Sequence, residues 1–292
     1  SYWQKENYNP SFLLPGQYQE RQYILPLSCH YNMLISDTVL DYTQENDTLE
    51  DWISNIKSSS DHALKNALFE LDNISGNWFQ PAADYNSGQI FFDKEKWSNF
   101  ALEYLLFKQD YLENEKTNNT DTSSSHILIS SLSLDDINEH TTQIDIIPDI
   151  QGKKMAAIRC FGAVSMASDY KEEAYHFLMY FLNNVIQEST STNGMSLSAN
   201  GVLGTDYPVQ VSAIRTKLSF LDQSKQDLAI KAFQSLEGAY FPTEVEHFIY
   251  EEIIENSSLL YGPQTDFKKI WQDKLSALAD KAWNDYHTQV TE

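Results

Sequence analysis

Residues 147 to 187, IPDIQGKKMAAIRCFGAVSMASDYKEEAYHFLMYFLNNVIQ, restrict the possible folds more than any other part of the chain. Pro148 and Gly152 mark a turn, and the run from Met155 to Met166 is small and apolar on both strand faces. Such a strand suits a buried position in a sheet. Asp169, with Glu172 three residues later, predicts a capping box. Ala174, Phe177, Leu178, Phe181, Leu182 and Val185 then recur at helical spacing. A turn, a buried strand and a capped amphipathic helix in that order indicate an α/β protein.

The flanking sequence extends this pattern. Residues 22 to 27, QYILPL, read as a strand that runs through SCHYN into a second apolar stretch, MLISDTVLDY, ending in a short helix. Thr48 and Asp51 cap a helix with Leu49, Trp52, Ile53 and Ile56 on one face. Residues 62 to 72 form another helix, 77 to 88 a loop, and Asp93 caps a helix carrying Trp97, Phe100, Ala101, Tyr104 and Leu105. The polar segment 113 to 125 reads as a surface loop, and 126 to 131 and 143 to 148 as strands. A Gly-Ser-rich loop covers 188 to 205. Three helices follow, over 223 to 239, 243 to 256 and 265 to 287, the last with Phe267, Ile270, Trp271, Leu275, Leu278, Ala282 and Tyr286 as its apolar stripe.

Composition narrows the function classes. A hydrophobic share of 41% with 13% aromatics supports real cores in 292 residues, enough for one large or two ordinary domains. The formal net charge of −22 argues against binding nucleic acid, since no basic stripe offsets repulsion from phosphates. It fits a secreted or surface-exposed protein. No apolar run approaches the ~20 residues that span a bilayer. The chain opens at Ser1-Tyr2-Trp3 without a methionine, as a processed or truncated polypeptide would. Cys29 and Cys160 are too few for a disulfide scaffold, and no spacing resembles a zinc site.

The ordered motifs resemble the extracellular solute-binding proteins of ABC importers, particularly the carbohydrate-binding branch. The Pro148-to-Gly152 turn, the strand after it and the Glu172-Glu173-Ala174 helix ending in Phe177-Leu178 are similar to that family's crossing between two lobes. So are Tyr23 to Pro26 with Ser36-Asp37 as a first crossing, the Thr48 helix, Asp206 to Gln210 as a return, and Gly262-Pro263 before the last helix. The resemblance covers roughly residues 17 to 290. It implies a two-lobed, type II periplasmic-binding-protein-like α/β fold with discontinuous lobes and a helical C-terminal part. Residues 1–29 and 160–205 would be the remnant of lobe one, and 30–159 with 206–292 lobe two. Lobe one would be incomplete, because the family begins with about three β-α units that this sequence does not contain.

The resemblance further implies an extracytoplasmic protein, periplasmic or lipid-anchored to the outer face of a bacterial membrane. It would act as a monomer that captures a mono- or oligosaccharide between its lobes and delivers it to an ABC permease, without cofactor or metal. Sugars present C–H faces ringed by hydroxyls, which aromatic platforms and directed polar groups recognise. His30 and Asn32 lie in the first crossing, where relatives place a polar contact; a structural histidine is the alternative. Trp78, beside Phe79, falls in the segment that stacks on ligand in relatives, or is simply packing. Arg159 and Phe161 flank Cys160 in the second crossing, where a buried arginine needs either an ion-pair partner or a ligand. Ser131 ends a strand leading to the cleft. Tyr240 and Glu246 begin a late helix that contacts ligand in relatives, or whose acidic side chains merely stabilise its N-terminus. The two crossings would bring Cys29 and Cys160 close together, bonded or as two separate thiols.

An enzyme is disfavoured. No G-x-S-x-G, H-E-x-x-H, phosphate loop or CxxC occurs, and the pairs Asp135-Asp136 and Glu251-Glu252 are sequence neighbours that diverge on a helix. His247 and Glu251, four apart, make at most half a metal site. The remaining alternative is a surface interaction or sensory protein that keeps the binding fold without transport.

Overall fold

The computed structural model describes residues 8–18, 21–40, 47–59, 61–115, 126–130, 134–187, 206–256 and 267–291. In chain order its elements begin with strands β1 (Gln17–Tyr18), β2 (Arg21–Gln22), β3 (Ile24–His30) and β4 (Met33–Ser36), and helices α1 (Leu49–Ser58) and α2 (His62–Leu68). Then come β5 (Ala83–Asp84), β6 (Gln89–Ile90), α3 (Lys94–Glu115), β7 (Ile127–Ser130), β8 (Gln143–Ile146), β9 (Met155–Ala163), α4 (Lys171–Phe181) and α5 (Asn184–Gln187). The last are β10 (Tyr207–Pro208), α6 (Val211–Lys217), α7 (Gln223–Gln234), β11 (Gly238–Tyr240), α8 (Glu244–Glu255) and α9 (Phe267–Thr291).

These elements form two compact units. Unit 1 is Ser1–Thr38, Ser131–Ile146 and Lys154–Pro242; unit 2 is Val39–Ser130, Ile147–Lys153 and Thr243–Glu292. The sequence-based partition grouped 206–292 as one piece with 30–159. Here 206–242 lies in unit 1, because β10 pairs with β3 and β11 with β9.

Unit 1 is built on a sheet of order β10-β3-β9-β11. β3 runs antiparallel to β9, from Ile24 opposite Ala163 to His30 opposite Ala157, and β11 lies parallel to β9. β3 is buried from Leu25 to His30, as its apolar run predicts. β4 pairs antiparallel with β8, Met33 opposite Ile146. Phe12 meets Phe233 edge-on at 5.3 Å, and Tyr31 lies 4.2 Å from Tyr207 between ring centres. Buried amides tie the backbone together: the side-chain nitrogen of Gln187 donates to the carbonyls of Leu27 and Phe181, and its oxygen accepts from the Val209 amide. Each such pairing satisfies a group whose burial would otherwise cost free energy.

Unit 2 is mainly helical. α1 has the predicted capping box, Thr48 and Asp51 each accepting from the other's backbone N–H. Asp93 accepts from the Lys96 amide at the start of α3. α9 buries Phe267, Trp271, Leu275, Ala279, Ala282 and Tyr286, most of the predicted stripe, and leaves Ile270 out. In the core, Lys108 and Asp72 form a buried ion pair, and the Lys108 ammonium also lies 4.1 Å from the centre of the Phe69 ring.

Several local expectations differ. The helix expected over 223 to 239 ends at Gln234, and Gly238–Tyr240 forms β11 instead. The short helix expected at the end of residues 33 to 42 is absent over 37–40, and 41–46 lie outside the described residues. The segment 77 to 88 is not wholly loop, since β5 lies within it and pairs with β6 just beyond its end. The Asp169–Glu172 capping box does not form. α4 starts at Lys171, so Tyr170 occupies the cap position and makes no side-chain cap.

Candidate functional site

The sequence-nominated residues fall into different environments. His30, Asn32, Arg159, Phe161 and Tyr240 belong to unit 1, Trp78 and Glu246 to unit 2. Ser131 lies outside the described residues.

In unit 1 a polar cluster forms at the end of β3. Ser28 and His30 are two residues apart on that strand, and both approach Asp206, just before β10. The Ser28 hydroxyl donates to Asp206 Oδ2 at 3.2 Å, and His30 Nδ1 lies 3.9 Å from Asp206 Oδ1. Tyr207 stacks on His30 with ring centres 5.4 Å apart. β10 brings Asp206 and Tyr207 here because Tyr207 pairs with Cys29 and Pro208 with Ser28.

Burial sets the electrostatics. It lowers the His30 pKa to about 4, helped by the charge of Arg159, so the imidazole is neutral near pH 7. The His30–Asp206 approach is therefore not an ion pair at that pH. Burial raises the Asp206 carboxyl, opposed by Arg159, the Ser28 hydrogen bond and Lys217. Burial lowers Lys217, opposed by Asp135 and Asp206. His30 Nε2, the Tyr207 hydroxyl and Asn32 Oδ1 are buried atoms without a hydrogen-bond partner among the described residues. The cluster thus combines a carboxylate acceptor, a serine hydroxyl, a neutral imidazole and a phenol, with the charges of Arg159 and Lys217 acting on Asp206, a set that matches hydroxyl groups, which donate and accept at once.

Arg159 is exposed, although the apolar strand around it predicts a buried arginine. β9 is buried at Ala156, Ala157 and Ile158 and then alternates outward, so the expectation of burial on both faces fails in its second half. Phe161 is 51% exposed, with one edge against Phe241 at 5.0 Å. Tyr240 is buried at the end of β11.

Trp78 and Glu246 are framework residues in this structure. Trp78 is 0% exposed, donates its indole N–H to the Leu71 carbonyl at 3.1 Å and meets Phe100 and Tyr104 edge-on. It presents no face on which a sugar would stack. Glu246 closes the α8 capping box with Thr243 and accepts from the Tyr286 hydroxyl at 2.8 Å and the Gln80 side chain at 3.2 Å. The 3-10 turn of Leu71–Asn77 packs so tightly on α8 that a Cβ at Gly76 would lie 2.3 Å from the Glu246 carbonyl.

The cysteines are both free. Cys160 stands opposite Ser28 and Cys29 opposite Ile158, so the two are offset across the ladder at a bulge. They are separate thiols. Burial raises both above the usual thiol range, and the charge of Asp206 adds to it. Among the described residues no three His, Cys, Asp or Glu side chains group as metal ligands, and no helix is long and apolar enough to cross a membrane. His247 pairs with Glu251 at 3.0 Å on exposed helix surface.

Sequence reasoning missed Ser28, Asp206, Tyr207 and Lys217. The alternation of β3, which puts Ser28 on the face of His30, was the one available signal.

No family model matches the chain, and no curated protein matches its sequence. Solved structures do. An extracellular solute-binding protein family 1 member from Alicyclobacillus acidocaldarius is similar at TM-score 0.50 and 10% identity, over 96% of this chain and 77% of that one. The sugar-binding protein MalE of Xanthomonas citri is similar at TM-score 0.48 and 10% identity, over 95% and 76%. A Streptococcus pneumoniae solute-binding protein, solved with the blood group A-trisaccharide, is similar at 0.45 and 12%, over 92% and 76%. At these identities the likeness defines the fold: the mixed α/β architecture of two-lobed periplasmic binding proteins.

Proposed function

We propose that this chain is an extracytoplasmic solute-binding protein that captures a small carbohydrate and hands it to an ABC permease. The observation that carries the reading is the Ser28–His30–Asp206–Tyr207 cluster, on which the charges of Arg159 and Lys217 act, in unit 1 of a chain with the binding-protein fold. Its donors and acceptors are mixed in sign, as a neutral polyol requires and as a purely anionic or cationic solute does not. Phe161, half exposed on the neighbouring strand, supplies apolar area for a sugar C–H face. His30, Asn32, Arg159 and Phe161 keep their nominated roles, and Asp206, Tyr207 and Lys217 join them.

A thermal-shift screen of neutral mono- and oligosaccharides tests the reading. A sugar at 100 times its Kd adds ~2.7 kcal/mol of stability by mass action, so the unfolding transition should rise. Loss of that rise in Arg159→Ala would place the ligand at the cluster. No shift with any sugar would end the reading.

A further inference from the structure

We infer that Gln80 is the keystone of a conformational lock inside unit 2, through which the turn 147–153 and the start of α8 hold and open as one piece. The starting observation is a pair of buried carboxylates. Asp149 is 4% exposed and Glu246 6%. The ion pairs that lysines form in unit 2 go instead to Glu103, Asp280, Asp72 and Asp285. A carboxylate buried without a cation needs hydrogen bonds in place of its hydration.

Here hydrogen bonds reach every carboxylate oxygen. Asp149 Oδ1 accepts from the amides of Gln151 and Lys153, both at 2.8 Å. Its Oδ2 accepts from the Gln80 amide at 2.9 Å and the Gln151 side chain at 3.2 Å. Glu246 Oε1 accepts from the Tyr286 hydroxyl at 2.8 Å and the Gln80 side chain at 3.2 Å. Its Oε2 accepts from the N–H and the hydroxyl of Thr243, both at 2.6 Å. Among these donors Gln80 alone serves both carboxylates, its backbone N–H going to Asp149 and its side-chain amide to Glu246. That amide also donates to the Gly76 carbonyl at 3.0 Å, and the residue is 2% exposed.

The two ends are far apart in sequence, and each anchors a passage of the chain. Residues 147–153 are an excursion into unit 2 between β8 and β9, and at Thr243 the chain returns to unit 2 after Pro242. At the first end Gly152, with φ +83°, takes the left-handed conformation that turns the Lys153 amide back onto Asp149. The Asp149 carbonyl there accepts from the Leu49 amide at the head of α1, and the Ile150 amide donates to the Trp78 carbonyl. At the second end the Thr243–Glu246 capping box starts α8. Gln80 is held from both sides, so displacing it at either end leaves a buried donor or acceptor unpaired at the other. An unmade buried hydrogen bond costs more than a made one contributes, and opening is therefore cooperative. The lock does not depend on which solute is bound.

Native-state hydrogen exchange tests it. Gln80→Met removes the side-chain amide but keeps the backbone N–H, so every bond to Asp149 remains available. The expected result is exchange about tenfold faster at Thr243 and Val245 and also at Gln151 and Lys153, with amides around Trp271 in α9 unchanged to within about twofold. Asp149→Asn, which disturbs the other end, should in return speed exchange at Thr243 and Val245. A Gln80→Met protein in which only Thr243 and Val245 quicken would overturn the inference, because the two ends would then open separately. Equal acceleration around Trp271 would also overturn it, as a loss of overall stability. If Gln80→Met does not fold, Glu246→Gln is read at the same Gln151 and Lys153 amides. Faster exchange there would support the lock, and unchanged exchange would refute it.

Discussion

Acidification should destabilise unit 1 through His30. The imidazole is 7% exposed, and burial followed by the Arg159 charge lowers its pKa from 6.5 to about 4. The folded state therefore holds His30 neutral, while the unfolded chain takes up a proton as the pH falls through 6.5. A base with a depressed folded pKa contributes stability that is full above its unfolded value and is lost below it. The loss grows between pH 6.5 and about 4 and then levels off. With these two values, falling from about pH 7.5 to about pH 4.5 costs about 2.5 kcal/mol. Asp206, Tyr207 and Arg159 face or influence the ring, and Asp206, whose pKa is raised, titrates as well. Comparison with His30→Gln, which keeps a polar side chain but cannot titrate, subtracts that background. The assay is urea unfolding followed by far-UV circular dichroism across this pH range, together with an NMR titration of the His30 ring. The wild type should lose about 2.5 kcal/mol more than His30→Gln over the range. A ring that titrates near 6.5, or identical pH slopes in both proteins, would refute the reasoning.

Two further outcomes rest on packing. Lys108→Met strands the Asp72 carboxylate in the unit 2 core and should cost about 3–5 kcal/mol, whereas adding Asp72→Asn should recover most of it. Five of the six tryptophans lie in unit 2, so fluorescence-detected urea unfolding reads that unit directly, and a double variant as unstable as the single would contradict the pairing. Because Cys29 is fully buried and Cys160 only partly so, a thiol reagent should label Cys160 first and Cys29 only on unfolding, with no mass change on reduction. Labelling of both cysteines only after reduction would show a bond instead.

Much of the architecture was legible because its signals are local. Thr48 and Asp51 are three residues apart, so their capping box needs no distant partner, and the stripe from Phe267 to Tyr286 follows from helical periodicity. The strands β3 and β9 announced themselves by composition. The site was less legible. Trp78 and Phe161 are both aromatic residues in nominated segments, yet one is enclosed by α3 and the other stands half exposed on β9. Nothing within a few residues of either distinguishes them.

By itself the sequence determined that this is an α/β chain with real cores, where most helices begin, and which crossings resemble those of a solute-binding protein. Only the tertiary structure decided which polar groups meet. Asp206 reaches His30 across 176 positions because β10 pairs with β3, a contact no local pattern encodes. It also decided that the helical stripe of 174 to 185, apolar enough to be buried, is left partly bare. A side chain's periodicity records the surface it is made to meet, but whether that surface is present depends on what else packs against it.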